Sequence, residues 1–348
     1  MPSSLRRTAK TVPTSRAVVM ESVPQLRPTT NPYLHQLVAT VAQHDDVVLF
    51  SWRRALLGRY DLFHVHWPEL LSRGSSRGKT RVKRLLTRAM QLRVRAQRIP
   101  VVRTVHNVAP HEQGSRAEQR ILARWDALTT EWITLNAHSP LPPGTPPAHL
   151  IPHGDYRDYY ASHPASPPRP RAVASVGQIR GYKGTDSLLT AFAGLDDAEA
   201  RLVIAGACPD ARLAAEVRDR AAADARITAD LRFLDDATLV QRITEASLVA
   251  LPYAAMHNSG ALLLALSLER PVLAPRNPIT EELAQEVGDG WLHLFDDIVD
   301  AADLATALDR GIPTQLPDLS ARAWPDAGEA HAHVFDAAMT RHNRRRSR

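Results

Sequence analysis

Arg180 and Lys183 stand three residues apart in a segment that also holds Gly177, Gly181 and Gly184. An apolar run at 172–176 precedes it and reads as a buried strand. Residues 185–192 follow and read as the opening turns of a helix. Two cations and three glycines thus sit at a strand's carboxyl end, beside a helix N-terminus. Free backbone N–H groups and the helix dipole favour an anion there. Guanidinium and ammonium groups suit a phosphate. A second terminus of this kind follows Tyr253, where His257, Asn258, Ser259 and Gly260 lead into an apolar helical segment. Ser259 has the chemistry of an N-cap, and Gly260 permits close approach to the backbone. Two helix N-termini with Arg180 and Lys183 suggest a diphosphate.

Histidines mark three predicted strand ends in the first half of the chain. His64 and His66 close one, with Glu69 just beyond; His106 and Asn107 close another, followed by His111 and Glu112; His153 closes a third, next to Asp155. Strand alternation puts His64 and His66 on one side. Any one of these histidines alone reads as a hydrogen-bonded structural residue; together they point to a site. No His-x-x-x-His or paired cysteine supports zinc, so no metal is expected.

Strands and helices alternate from end to end. The predicted strands of the first half are 17–20, 47–50, 62–65, 101–105, 132–135 and 149–151, with helices at 33–43, 79–97 and 115–128. Those of the second half are 172–176, 202–205, 231–234, 248–252, 271–274 and 291–294, with helices at 186–193, 211–222, 236–246, 260–269 and 280–287. Such alternation predicts α/β domains with mostly parallel sheets covered on both faces. Prolines crowd 164–170, which cannot be helix or central strand. The expected organisation is a flexible leader at 1–14, a first domain at 15–163, a linker at 164–171 and a second domain at 172–318. A helix at 319–340 would cross back to the first domain, before a frayed basic tail at 341–348. Ligands of such sheets bind beyond the carboxyl ends of the strands. The residues above therefore face one interdomain cleft.

With 348 residues, 44% of them hydrophobic, the chain can build two ordinary cores. A single cysteine, Cys208, excludes a disulfide framework and suits a reducing compartment. No apolar run has membrane-span length, and residues 1–14 lack an apolar signal core, so a cytoplasmic protein is expected. The net charge of +6 is concentrated at 73–98, which has no acidic residue. There Val82, Leu85, Leu86, Ala89, Leu92 and Ala96 recur at helical spacing among arginines and lysines. This basic amphipathic helix is expected to pack its apolar face on its own domain and to meet anionic lipid with the other. Aromatic residues that could stack bases do not interleave it, so nucleic acid is not an expected partner.

The second half resembles the donor-binding half of GT-B glycosyltransferases of the group 1 type. The resemblance rests on Val-Gly-x-Ile-x-x-Tyr-Lys-Gly-x-x-x-Leu-Leu-x-Ala-Phe at 176–192 and Leu-Val-Ile-Ala-Gly at 202–206. It continues in Leu-Pro-Tyr at 251–253, Ser-Gly-Ala-Leu-Leu-Leu-Ala-Leu at 259–266 and Arg-Pro-Val-Leu-Ala at 270–274. The first half is similar to the acceptor half through Val-His-Trp-Pro and Thr-Val-His-Asn. The resemblance implies a GT-B fold and places Arg180 and Lys183 on a donor diphosphate, with His106 near the transferred sugar. Two departures stand out. Gln178 occupies the place of an arginine common in the family. Met256 and Leu264 occupy the places of the paired glutamates of retaining members. The pattern is closer to inverting relatives such as bacterial β-mannosyltransferases of exopolysaccharide assembly.

These readings converge on an expectation. The chain transfers a sugar from a nucleotide-diphosphate sugar to a hydroxyl of a glycolipid or polysaccharide, without metal or other cofactor. Arg180, Lys183, Ser259 and Gly260 hold the leaving diphosphate, and Gly177, Gln178, Asn107, His153, Tyr253, His257 and Asn258 line the cleft. An inverting route needs one general base, for which Glu69, His66, His106 and Glu112 are candidates, Glu69 and His66 foremost. A peripheral position at the inner face of the plasma membrane follows from the basic helix. The missing glutamates leave a second expectation, a non-catalytic GT-B-like subunit that binds nucleotide sugar or glycan.

Overall fold

The computed structural model describes residues 16–106, 114–145, 148–254 and 256–346. The described residues up to Tyr160 build one α/β unit around β1 (Val18–Glu21), α1 (Pro32–His44), β2 (Asp46–Leu49), α2 (Trp52–Leu57) and β3 (Leu62–Val65). It continues with α3 (Arg77–Gln97), β4 (Val101–Val105), α4 (Arg116–Leu128), β5 (Glu131–Thr134), β6 (His149–Leu150) and α5 (Arg157–Tyr160). Every strand pair is parallel, in the order β2-β1-β3-β4-β5-β6.

The second unit runs through β7 (Ala172–Val176), α6 (Thr185–Ala193), β8 (Arg201–Ala205), α7 (Ala211–Ala223), β9 (Ile227–Asp230) and α8 (Asp236–Thr244). It closes with β10 (Leu248–Ala250), α9 (Gly260–Ser267), β11 (Val272–Pro275), α10 (Pro278–Val287), β12 (Leu292–Phe295) and α11 (Ala301–Arg310). Its sheet is also parallel, in the order β12-β11-β10-β7-β8-β9. The strands read as apolar runs because helices cover both faces: β3, β10 and β11 are buried at every position. The expected strand at 231–234 is instead β9, four residues earlier. Ile227 pairs beside Leu202 and is buried, whereas Phe233 is exposed.

Strand order reverses between β1 and β3 in the first sheet and between β7 and β10 in the second. These switch points open crevices at the carboxyl ends. Between the units, 164–169 has no regular structure and is tied to α8, the Ser166 N–H donating to Thr244 Oγ1 at 2.9 Å.

The last helix, α12 (Trp324–Arg346), packs along α1 of the first unit. Trp324, Val334, Phe335 and Ala338 share a core with Tyr33, Leu37 and Val41. The helix begins five residues later than expected and continues to Arg346, through most of the segment expected to fray. The expected leader at 1–14 lies outside the described residues, as do Asn107, His111 and Glu112.

One expectation about α3 is overturned. Its buried residues are Thr87, Met90, Gln91 and Val94. Val82, Leu85 and Leu92 are 55%, 63% and 66% exposed, so the apolar seam faces outward. The inner face mixes Met90 and Val94, which join the core around Phe63, Ile121 and Trp125, with polar residues bonded to carbonyls of neighbouring elements. Thr87 Oγ1 donates to Leu71 O at 2.8 Å, and Gln91 Nε2 to Ile121 O at 2.8 Å.

Candidate active site

The two crevices face each other across a cleft of about 810 Å³. Gln178, Arg180, Gly181, Tyr182, Asp210, Asn258 and Gly260 form one wall; Asn31, Tyr33, Trp67, Glu69, Leu70, Arg73, His106 and His153 form the other. Asn258 joins them, its Nδ2 donating to His106 O at 2.8 Å while its Oδ1 accepts from Asn136 at 2.8 Å.

On the second unit, the segment after β7 turns tightly back toward β10. Gly184 has φ +68°, and a Cβ there would lie 1.8 Å from Pro252 O. Only glycine fits that approach. The turn sets Lys183 Nζ 4.9 Å from the centre of the Tyr253 ring and beside Gly177. Burial, and then the neighbouring Arg180, lower the Lys183 pKa from the usual lysine value. Among the described residues neither Arg180 nor Lys183 has a carboxylate partner. Two adjacent unpaired cations at a helix start call for an anion. Arg180 and Gly260 reach the cleft surface, and Lys183 and Tyr253 lie beneath it. Ser259 caps α9, accepting from Leu262 N at 3.2 Å. With His257 and Met256 it lines a smaller cavity of about 140 Å³ behind the cleft.

On the first unit, Glu21 ends β1 and is fully buried. His64 Nδ1 lies 3.0 Å from Glu21 Oε1 and His66 Nε2 lies 3.0 Å from Oε2. His64 Nε2 is 2.8 Å from Thr104 Oγ1, and His66 Nδ1 is 3.0 Å from His106 Nε2. Burial alone would raise the Glu21 pKa. The two imidazoles outweigh it and hold the carboxyl below the usual range. Burial, and then His64, push His66 down to about 4, so it is neutral near pH 7. His106 is driven well below its ordinary value by burial and by the surrounding histidines.

Glu21, His64 and His66 have metal-like spacing, their ligand atoms lying within 4.8 Å of one another. The hydrogen bonds above already engage all of those atoms.

His66 therefore departs from its expected place as a cleft base. Both its ring nitrogens are bonded and its side chain is fully buried. It stands behind His106, whose ring stacks on Trp67 with centroids 4.1 Å apart. His153 is also buried, with Nδ1 2.8 Å from Gly154 O and a pKa lowered to about 4 by burial. Tyr33 packs against both, 5.2 Å from the His106 ring and 4.6 Å from His153. Glu69 lines the cleft and also an adjoining cavity of about 360 Å³ with Trp132, Arg103 and Pro140. Burial raises its pKa. Sequence reasoning missed Glu21, Tyr33, Trp67, Arg73 and Asp210. A glutamate ending the apolar run at 18–20 was the available signal for Glu21. Met256 and Leu264 are both buried in the apolar core, so neither place can offer a carboxylate to a sugar hydroxyl.

Residues 170–312 match the family described as glycosyl transferases group 1. Over 328 residues, 93% of either chain, the protein is 40% identical to the GDP-mannose:glycolipid 4-beta-D-mannosyltransferase of Xanthomonas campestris pv. campestris. The chain belongs to the group 1 glycosyltransferases. Solved structures agree on the GT-B fold. HepE of Anabaena in complex with UDP-glucose superposes with a TM-score of 0.58 at 13% identity, covering 95% of this chain and 99% of that one. The UDP-forming α,α-trehalose-phosphate synthase of Burkholderia vietnamiensis gives 0.59 at 15% identity, covering 93% and 100%. As a glycosyltransferase the protein is an enzyme.

Proposed function

We propose that this glycosyltransferase moves mannose from GDP-mannose to a hydroxyl of a glycolipid, with inversion at the anomeric carbon. The 40% identity across nearly the whole chain to a GDP-mannose:glycolipid mannosyltransferase carries the reading. The cleft supports it. Arg180 and Lys183 are free to neutralise the leaving diphosphate, aided by the amides at the start of α9. The absent glutamate pair removes the usual retaining contacts to the donor sugar, and an inverting displacement needs only one base on the opposite side.

The acceptor side supports a lipid-linked substrate. Val82, Leu85, Ala89, Leu92 and Ala96 form an exposed seam on α3, with the exposed Arg81, Arg88 and Arg95 along its edge. Such a surface lies on anionic headgroups with its apolar side chains dipped in. Lys83 Nζ, on the same helix, donates to Leu70 O at 3.2 Å, and the exposed Leu70 lines the cleft mouth. A lipid-anchored acceptor at that surface would present its sugar to Glu69 and His106. No helix among the described residues is long and apolar enough to cross a membrane.

Purified enzyme incubated with a glycolipid acceptor and GDP-mannose, UDP-glucose or UDP-galactose decides the donor. Turnover of GDP-mannose to a β-linked product is expected. Preference for a UDP-sugar, or an α-linked product, overturns the reading.

A further inference from the structure

An ionised carboxylate can only accept hydrogen bonds. Glu21 is ionised, so the neutral His66 must donate its Nε2–H across the 3.0 Å contact. His66 Nδ1 is then bare and accepts, and His106 must supply the proton from Nε2 across the next 3.0 Å. That leaves His106 Nδ1 without a proton and, among the described residues, without a bonding partner. The Trp67 stack and the Asn258 bond to its carbonyl hold the residue at the cleft wall.

We propose that Glu21, through His66, fixes His106 in this tautomer, and that His106 Nδ1 takes the proton of the attacking acceptor hydroxyl. In the step, the acceptor oxygen bonds to the anomeric carbon. The bond from that carbon to the diphosphate oxygen breaks, and its electron pair leaves on the diphosphate beside Arg180 and Lys183. The hydroxyl proton passes to His106 Nδ1, and the buried Glu21 charge stabilises the imidazolium through His66. Glu21 and His66 are positioning residues; His106 touches the reacting atoms. A base oriented by a second group, itself held by a third, is a recurrent device in nucleophilic chemistry. The inference rests on transfer to a hydroxyl and not on which sugar is moved.

Nitrogen-15 NMR of histidine-labelled enzyme without donor reads the tautomer directly, with His106→Gln assigning the signal. His106 is expected with Nε2 protonated and Nδ1 bare. In kinetics with whichever donor turns over, Glu21→Gln should lower kcat by roughly 10²–10⁴-fold, the range for losing a positioned acid or base. Donor KM should stay within about threefold, as expected for an interaction made in the transition state. His66→Gln, whose amide can donate to Glu21 and accept from His106, should retain far more activity than His66→Leu. A proton on His106 Nδ1, wild-type kcat in Glu21→Gln, or equal losses in the two His66 variants would overturn the assignment. Should Glu21→Gln fail to fold, the wild-type spectrum and the His66 pair still decide it.

Discussion

Lys183 owes its position to a single backbone requirement. The left-handed Gly184 lets the chain turn against Pro252 and drop the lysine over Tyr253, next to Arg180. If the two cations serve the leaving diphosphate as proposed, removing either leaves part of its developing charge uncompensated. Arg180→Ala and Lys183→Ala should each lower kcat by about 10²–10³-fold, the scale for losing one preorganised donor to a developing anion. Steady-state transfer assays check this, and unchanged donor turnover in the double variant would remove the diphosphate site from this loop. Gly184→Ala acts differently. It should cost roughly 1–3 kcal/mol from the backbone conformation alone, with the Pro252 clash adding to it. Chemical denaturation would register the loss. The geometry of the loop was legible in the sequence because the glycine and cation types announce a tight turn that gathers positive charge. The buried place of His66 was not. A histidine at a strand end looks the same whether it faces the cleft or stands behind the residue that does. That distinction comes from the pairing of β1 with β3, which brings Glu21 beside His64.

Among the elements, α3 departs furthest from its pattern. Periodicity predicted the helix within two residues, yet the face it buries is the one carrying Thr87 and Gln91. Local spacing says which side chains share a face. It does not say what the opposing surface offers, and here that surface takes Met90 and Val94 into an apolar core while carbonyls accept from Thr87 and Gln91. The seam left outside is the testable consequence. Burying a leucine side chain in the interface is worth about 1.5–3 kcal/mol. Leu85→Glu and Leu92→Glu should therefore each weaken binding to phosphatidylglycerol vesicles by about tenfold or more, at 1.4 kcal/mol per decade. Binding of soluble GDP should be unaffected. Sedimentation with vesicles and a nucleotide thermal shift separate the two. Vesicle binding unchanged by both substitutions would remove α3 as a membrane-binding surface. The strands were easier to foresee, since buried parallel strands are continuous apolar runs. The exception at 231–234 is an apolar stretch whose phenylalanine faces solvent, a matter of register with β8 that no single run discloses.

At the scale of the whole molecule, α12 carries His331 from the end of the chain into the histidine cluster of the first unit, its ring 5.7 Å from that of His64. His66 and His153 are lowered to about 4 and His331 to about 3, in each case with burial the main cause. An imidazole with a native pKa below its unfolded value of about 6.5 binds its proton more readily when unfolded. Stability is then complete above pH 6.5 and declines as pH falls toward the native pKa, by at most about 3 kcal/mol for a group such as His66. Glu21 acts in the same direction, in a more acidic window. Its native pKa is depressed, so its contribution persists above the unfolded carboxylate value and is lost only in stronger acid. The melting temperature should therefore fall between pH 7 and pH 5, before carboxylates titrate. His331→Leu removes one titrating group at the seam between α12 and the first sheet and should flatten that fall. Calorimetry on both proteins across this range tests the claim. A melting temperature independent of pH from 7 to 5 would mean that the cluster opens to water in the native state. A slope unchanged by His331→Leu would assign the titration to His66 and His153 rather than to the helix that crosses back.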